Sequence, residues 1–325
     1  MIFGMERLVL ISHGDADGIC SASLAYSALS GKYDKILIYF SHPAGLYQDI
    51  KDITVGGDDI LIMDIALSEK HLNDLIDLFD DLRSRGSKIT YIDHHPEPLS
   101  IKVNQMPIKV IHKLDVSTSE LTFKYFSSSL DRDMSRVALY GAICDYMDYT
   151  DWVKRELENW DRRMIYFEAG VLSQGLEGSR KMYDFKRHIV KHLADGKLPS
   201  SLSELLVRAL IEAVNEEELR KWIKSNVKVK GEIAYVMNPP GSITRAATYA
   251  RAIADKAIGI AIEKRGNLAI MSLRTNRFDI DLNSILRRIC PEVNGVGGGH
   301  KKASGARLPI KNLDIFFDKL NMAVK

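Results

Sequence analysis

The chain has 325 residues, of which 46% are hydrophobic and 27% charged. Those figures exclude a disordered chain, a collagen-like repeat and a disulfide-stapled mini-protein, and suggest two domains of ordinary size. No apolar run approaches the roughly 20 residues that cross a bilayer, and the start, Met1-Ile2-Phe3-Gly4-Met5, is too short and too uncharged for a signal peptide. A soluble, cytoplasmic protein with no membrane partner is expected. Cys20, Cys144 and Cys290 are far apart and odd in number; they offer neither a zinc knuckle nor a disulfide framework and read as small buried hydrophobes. The net charge of +2 hides an asymmetry: residues 226–325 hold 17 Lys/Arg against 8 Asp/Glu, and residues 1–225 hold 28 against 35. A basic lobe invites an anionic ligand, and the acidic lobe leaves its carboxylates to surface solvation or to metal binding.

The first part of the chain alternates strand and helix signals. Branched apolar runs at 7–12, 35–40, 60–63 and 88–92 predict strands. A helical pattern runs from about Ile19 to Leu29, and another from Ser68 to Leu82. Short continuous apolar strands separated by helices imply βαβ units and a parallel sheet buried on both faces. Ser117 with Glu120 three residues on has capping-box spacing and predicts a helix start; a second helix is expected from Met134 to about Met147. From about Asp151 to Asn226 the composition is dense in Glu, Lys, Arg and Leu, which reads as helices. A new alternation follows: a strand at 231–237, a helix near 246–255, strands at 257–262 and 268–273, and a helix at 282–289. A glycine-rich loop at 295–299 and a final helix from about Asn312 complete the chain.

Four acidic or histidine motifs stand out. His13-Gly14-Asp15-Ala16-Asp17-Gly18 follows the first strand, Asp64 follows 60–63, Asp93-His94-His95 follows 88–92, and Asp145 lies inside the helix carrying Gly141–Asp145. Singly, each has an ordinary alternative as a turn, a helix cap or a surface charge. Together they change weight, because strand C-termini of an open parallel sheet share one edge and ligands bind there. Asp15, Asp17, Asp64 and Asp93 would meet in one crevice with three imidazoles. Bare carboxylates at that density repel and raise one another's pKa, a conflict that divalent cations remove. Asp and His without thiolate suit Mn²⁺ or Mg²⁺ better than a structural zinc, and the donors suffice for two ions placed for in-line phosphoryl displacement.

The four motifs resemble, in order, those of the DHH phosphoesterase superfamily, which includes RecJ-type nucleases, nanoRNases, cyclic-dinucleotide phosphodiesterases, exopolyphosphatases and manganese pyrophosphatases. The run Gly295-Val296-Gly297-Gly298-Gly299-His300 resembles the GGGH signature of the DHH-associated domain of the nuclease branch, and Ser272-Leu273-Arg274-Thr275 its strand-borne arginine motif. The resemblance spans residues 13 to 306. It implies an α/β protein: an N-terminal parallel-sheet domain over 1–175, a helical linker over 176–226, and a smaller C-terminal α/β domain over 227–325, with the active site in the cleft between. It implies two Mn²⁺ ions, with Mg²⁺ or Co²⁺ as substitutes. His13 and Asp15 would hold one ion, Asp17, His94 and Asp145 the other, and Asp64 would bridge them. Asp93 would orient the metal histidine, and His95 would contact the scissile phosphate or protonate the leaving oxygen. The His13-x-Asp15 spacing is shorter than in the pyrophosphatase and nanoRNase branches and looks more like archaeal RecJ-like members, which leaves His13 as a ligand or as a support behind one.

The glycine-rich run fits neither a P-loop nor a dinucleotide fingerprint, since His300 stands where each needs glycine. It reads either as a plain turn or as backbone N–H groups of Gly297, Gly298 and Gly299 approaching a phosphate with His300. Arg274 offers a bidentate fork; Arg277, Lys301 and Lys302 add charge or are simply solvated. The expected activity is hydrolysis of short single-stranded RNA or DNA by two-metal activation of a bridging hydroxide. The alternatives are a phosphatase or phosphodiesterase for 3′,5′-bisphosphate nucleotides, cyclic or linear dinucleotides or polyphosphate, and a catalytically silent replication scaffold. A homodimer is compatible with all of these.

Overall fold

A computed structural model describes residues 6–324. Residues 1–5, read above against a signal peptide, lie outside the described residues. The chain divides into two compact units, one up to Glu212 and one from Ala213 on.

The first unit contains β1 (Arg7–His13), α1 (Ala16–Leu29), β2 (Lys35–Ser41), α2 (Leu46–Ile53), β3 (Asp59–Met63), α3 (Leu72–Ser84), β4 (Lys88–Asp93) and β5 (Lys109–His112). Then come α4 (Thr118–Phe126), α5 (Ser135–Cys144), α6 (Asp151–Glu156), α7 (Arg162–Glu177) and α8 (Tyr183–Ala194). The five strands form one parallel sheet in the order β2-β1-β3-β4-β5. In β1, Leu8 and Leu10 join the core under α1, α5 and α7, whereas Val9 and Ile11 join the core under α2 and α3. Burial on both faces is why β1 reads as an unbroken apolar run. The strand order reverses direction between β1 and β3, the position where open parallel sheets place their ligands.

Two helix starts shape this edge. Asp15 caps α1, its carboxylate accepting the Gly18 N–H at 3.1 Å, so the helix begins at Ala16, three residues before the apolar periodicity sets in. Ser117 caps α4 by accepting the Glu120 N–H at 3.1 Å, as expected. The reciprocal half of the box is replaced: Glu120 instead takes Lys124 Nζ at 2.5 Å and Thr150 Oγ1 at 2.8 Å. The helix predicted to reach Met147 stops at Cys144, because Tyr146 turns left-handed at φ 59°. Asp145 is therefore the C-cap of α5 and not a residue of its interior.

The division between the units falls within α9 (Ser203–Asn226), in the stretch read as a helical linker. The second unit continues with β6 (Lys228–Lys230), β7 (Ile233–Met237), α10 (Ile243–Ala254), β8 (Ile258–Arg265), β9 (Leu268–Thr275), α11 (Leu282–Glu292), β10 (Val296–Gly299), β11 (Ala303–Pro309) and α12 (Leu313–Ala323). Its mixed six-stranded sheet has the order β10-β11-β9-β8-β7-β6, with only β7 and β8 parallel. Ile258, Ile260, Leu273, Leu286, Phe316 and Phe317 form one core; Leu219, Ile223, Ala246, Ala247 and Ala250 form the other.

The glycine-rich run is not a loop. Val296–Gly299 is an edge strand paired antiparallel with β11, Gly298 opposite Gly305 and Gly299 opposite Ser304. A Cβ on Gly297 would stand 2.7 Å from Cys290 Sγ and 3.1 Å from Leu286 Cβ, so glycine here lets α11 lie close on the strand. Cys20 and Cys290 are buried and Cys144 half-buried, all three free. Among the described residues no helix is long and apolar enough to cross a membrane.

Candidate metal centre

The ends of β1, β3 and β4, the start of α1 and the end of α5 bring eight predicted residues of the first unit to one edge of the sheet. One donor atom each from His13, Asp15 and Asp64 lie within 4.8 Å of one another; so do those of Asp17, Asp64 and His94, and those of Asp64, Asp93 and His95. Asp64 belongs to all three groups. It follows β3 directly, is buried, and holds a left-handed backbone at φ 59°. His94 Nε2 lies 3.4 Å from Asp64 Oδ1 and 3.6 Å from Asp145 Oδ2. His13 Nδ1 lies 2.7 Å from Asp15 Oδ2, with both side chains partly open to solvent.

Asp93 was expected to orient the metal histidine. Its carboxylate holds His95: Oδ1 lies 2.9 Å from the ring Nδ1, and Oδ2 accepts the His95 N–H at 2.9 Å. His112 Nε2 in turn sits 2.7 Å from the His95 carbonyl. Asp17, in the first turn of α1, reaches α4. Its Oδ2 accepts the Thr118 N–H at 2.7 Å and its Oδ1 the Ser119 N–H at 3.0 Å. It thereby satisfies two of the donors that a helix start leaves open.

The electrostatics are those of a cation site. Burial, then the charges of Asp15 and Asp17, push Asp64 well above the usual carboxylate range. Burial pushes Asp145 up to about 8 against the pull of His94, and it raises Asp17. Burial works against the His94 imidazolium, but Asp64 and Asp145 outweigh it and hold that pKa well above its ordinary value. Burial likewise opposes the charge on Asp93, yet His95 keeps it below the usual range. Asp145 Oδ2 is buried and accepts no hydrogen bond. An orphaned carboxylate oxygen beside three further buried ionisable groups, with oxygen and imidazole donors and no thiolate, fits hard divalent cations such as Mn²⁺ or Mg²⁺.

In the second unit Arg274 lies on β9, opposite Ala303 of β11, and donates from one guanidinium nitrogen to the Leu273 carbonyl at 2.8 Å and to Ser272 Oγ at 3.1 Å. His300 and Ala303 exchange backbone bonds across a tight turn, N to O at 2.9 and 3.3 Å. Asn283 Oδ1 accepts the Gly299 N–H at 3.1 Å. Arg274, Gly297, Gly298, Gly299 and His300 thus gather at one end of three adjacent strands, β10, β11 and β9.

The family model described as "DHH family, N-terminal domain" matches residues 7–146, and that described as "DHHA1 domain" matches residues 230–325. The chain carries a DHH domain followed by a DHHA1 domain. Solved structures with the same fold include RecJ with Mn²⁺ from Thermus thermophilus, 13% identical, covering 98% of this chain and 52% of its own, TM-score 0.69. They also include the pGpG-specific phosphodiesterase PggH from Vibrio (15%, 98% and 98%, TM-score 0.59) and an exopolyphosphatase-related protein from Bacteroides fragilis (18%, 98% and 93%, TM-score 0.57). The DHH–DHHA1 chain spans about half the length of that RecJ. At these identities the likeness is one of fold. No curated protein matches the sequence.

Two residues of the DHH unit's site escape the motifs. Thr118 Oγ1 donates to Asp64 Oδ1 at 3.2 Å. Lys186, on α8 and 5% exposed, donates from Nζ to the Gly14 carbonyl at 2.5 Å and so grips the turn between His13 and Asp15. Neither carries a signal in sequence, since the partners lie 54 and 172 residues away. The double contact of Asp17 has a measurable consequence. Asp17→Ala strips the acceptors from two buried N–H groups and is expected to lower the unfolding free energy by about 2 kcal/mol or more, read by urea denaturation in EDTA. An unchanged midpoint would contradict the anchoring of α4.

Proposed function

We propose that the protein is a divalent-metal-dependent phosphodiesterase acting on short single-stranded oligonucleotides. The observation that carries this is the buried Asp64 common to three donor groups, with a histidine held beside it by its own carboxylate. His13 and Asp15 would hold one ion, Asp17, His94 and Asp145 the other, and Asp64 would be shared. When bound, such ions supply Lewis-acid polarisation of a phosphoryl oxygen and a nucleophile from water near neutral pH.

The chain's own residues supply the rest. Asp93 engages His95 at Nδ1, which fixes the ring and leaves Nε2 as the atom to hold or donate a proton at the leaving oxygen. Lys186 and the Asp15 cap keep the His13–Asp15 turn in place. Arg274, with the glycine strand and His300, would bind the substrate's phosphates.

A short substrate is supported by PggH, whose name specifies pGpG and of which the chain covers 98%; of two RecJ structures it covers 52% and 89%. The similar coverage of the exopolyphosphatase-related protein, 93%, supports a second reading, hydrolysis of polyphosphate or of small phosphorylated nucleotides. A silent scaffold is disfavoured because every proposed ligand is present.

The deciding experiment is a product profile with Mn²⁺ on end-labelled 2-mers, 5-mers and 24-mers of RNA and DNA. A 3′,5′-bisphosphate nucleotide, a cyclic dinucleotide and polyphosphate are run in parallel. Faster loss of the 2-mer and 5-mer supports the proposal; turnover confined to polyphosphate or the bisphosphate replaces it. Arg274→Ala is expected to weaken substrate binding far more than Mn²⁺ binding, both read by calorimetry; equal losses would refute its assignment.

A further inference from the structure

The loop between β9 and α11 carries Phe278 with 77% of its surface exposed. A phenylalanine that open adds little to folding, and its surroundings are basic. Lys302 Nζ sits 3.7 Å from the centre of its ring, the placement in which a cation is drawn to the negative face of an aromatic. The loop is anchored at both ends to the turn after β10: Thr275 N–H donates to the Lys302 carbonyl at 3.0 Å, and Leu282 N–H to the Lys301 carbonyl at 2.8 Å. Arg277 N–H donates to Thr275 Oγ1 at 3.2 Å.

The two carboxylates of the loop are already engaged. Asp279 takes Arg277 Nε at 3.0 Å, and Asp281 caps α11 by accepting the Ser284 N–H at 3.0 Å. The ring thus carries an ammonium on one face, and Arg274, Arg277 and Lys301 stand on the strand, loop and turn that meet here. The loop springs from the strand that carries Arg274 and is tied to the turn that follows His300.

We propose that Phe278, backed by Lys302, is a stacking platform for a base of the substrate and makes the DHHA1 unit prefer base-bearing single strands over polyphosphate. The inference rests on the oligonucleotide reading of the preceding section. An aromatic face accepts any base, and neighbouring cations take the flanking phosphates, which is how sequence-tolerant single-strand binding is built. Polyphosphate offers the cations a partner but gives the ring nothing to stack on.

The test compares a 5-mer with an abasic oligomer of the same length, in wild type, Phe278→Ala and Phe278→Trp. Wild type and Phe278→Trp are expected to show a KM for the 5-mer about tenfold or more below that for the abasic oligomer. In Phe278→Ala that gap closes. Binding is read separately with 2-aminopurine in the 5-mer and the Asp64→Asn variant, where stacking quenches fluorescence and Phe278→Ala abolishes the quench. An unchanged gap and unchanged quench in Phe278→Ala overturn the platform while leaving the phosphodiesterase reading intact. Quenching that depends on Phe278, without hydrolysis of any oligonucleotide, keeps the platform and overturns the phosphodiesterase. Neither quenching nor hydrolysis overturns both.

Discussion

Replacing Asp64 with asparagine is expected to abolish hydrolysis, by at least about 100-fold, the upper range for losing even a supporting residue of a metal site, while the chain stays folded. Asp64 is common to the three donor groups, so no other single carboxylate removes as much. The fold survives because the backbone at this position is left-handed, at φ 59°, and asparagine is among the few L-residues that accept that conformation readily. The amide oxygen still accepts the Thr118 hydroxyl, and loss of the charge removes repulsion from Asp15 and Asp17. The melting temperature in EDTA should match or exceed that of the wild type. Alanine at the same position keeps the left-handed strain, about 1–2 kcal/mol, and should melt lower. Wild-type turnover in a folded Asp64→Asn protein would end the bridging assignment.

Manganese is expected to raise the melting temperature, and to raise it more at pH 8 than at pH 5. Asp64 and Asp17 sit above the usual carboxylate value in the folded state, and Asp145 is pushed up to about 8. A group whose folded pKa is raised contributes stability that is complete below its unfolded value, near 4 for Asp. That stability is lost as the pH rises toward the folded value. His13 and His94 are raised as well and act in the same direction above pH 6.5. The metal-free protein therefore weakens between pH 5 and pH 8. A divalent ion displaces those protons and restores what was lost, so its effect grows over the same interval. An ion at about 100 times its Kd adds roughly 2.7 kcal/mol, a shift of about 5–10 °C for a unit of this size. Calorimetric scans with Mn²⁺ and with EDTA at both pH values read this directly. No shift, or a larger one at pH 5, would contradict a centre built from raised carboxylates.

Much of this was legible in the residues. The runs that became β1 to β4 are branched and apolar because both faces of a parallel sheet are covered, and carboxylates following three of them, β1, β3 and β4, were enough to foresee most of the cluster. What stayed hidden has specific causes. The α2 helix buries only Leu46 and Ile50, a single pair that sets no period. The four residues of β5 are half-exposed or exposed and form no core run. Glycine composition suggested a loop where β11 supplies a ladder and α11 leaves no room for side chains. The end of α5 was set by the left-handed Tyr146, which no local residue type demanded. The grip of Lys186 on Gly14 and of Asp17 on α4 joins segments 172 and 101 residues apart, a separation that no local pattern encodes.

The left-handed backbone at Asp64 also governs how mutation can retire the proposed activity. Asparagine and glycine adopt that conformation cheaply, and an aspartate codon becomes either one through a single base change. Two of the single-base changes at this position thus give copies that preserve their outline but lack the carboxylate. A duplicated gene would be one step from an inert decoy, and no loss of foldedness would stand in the way.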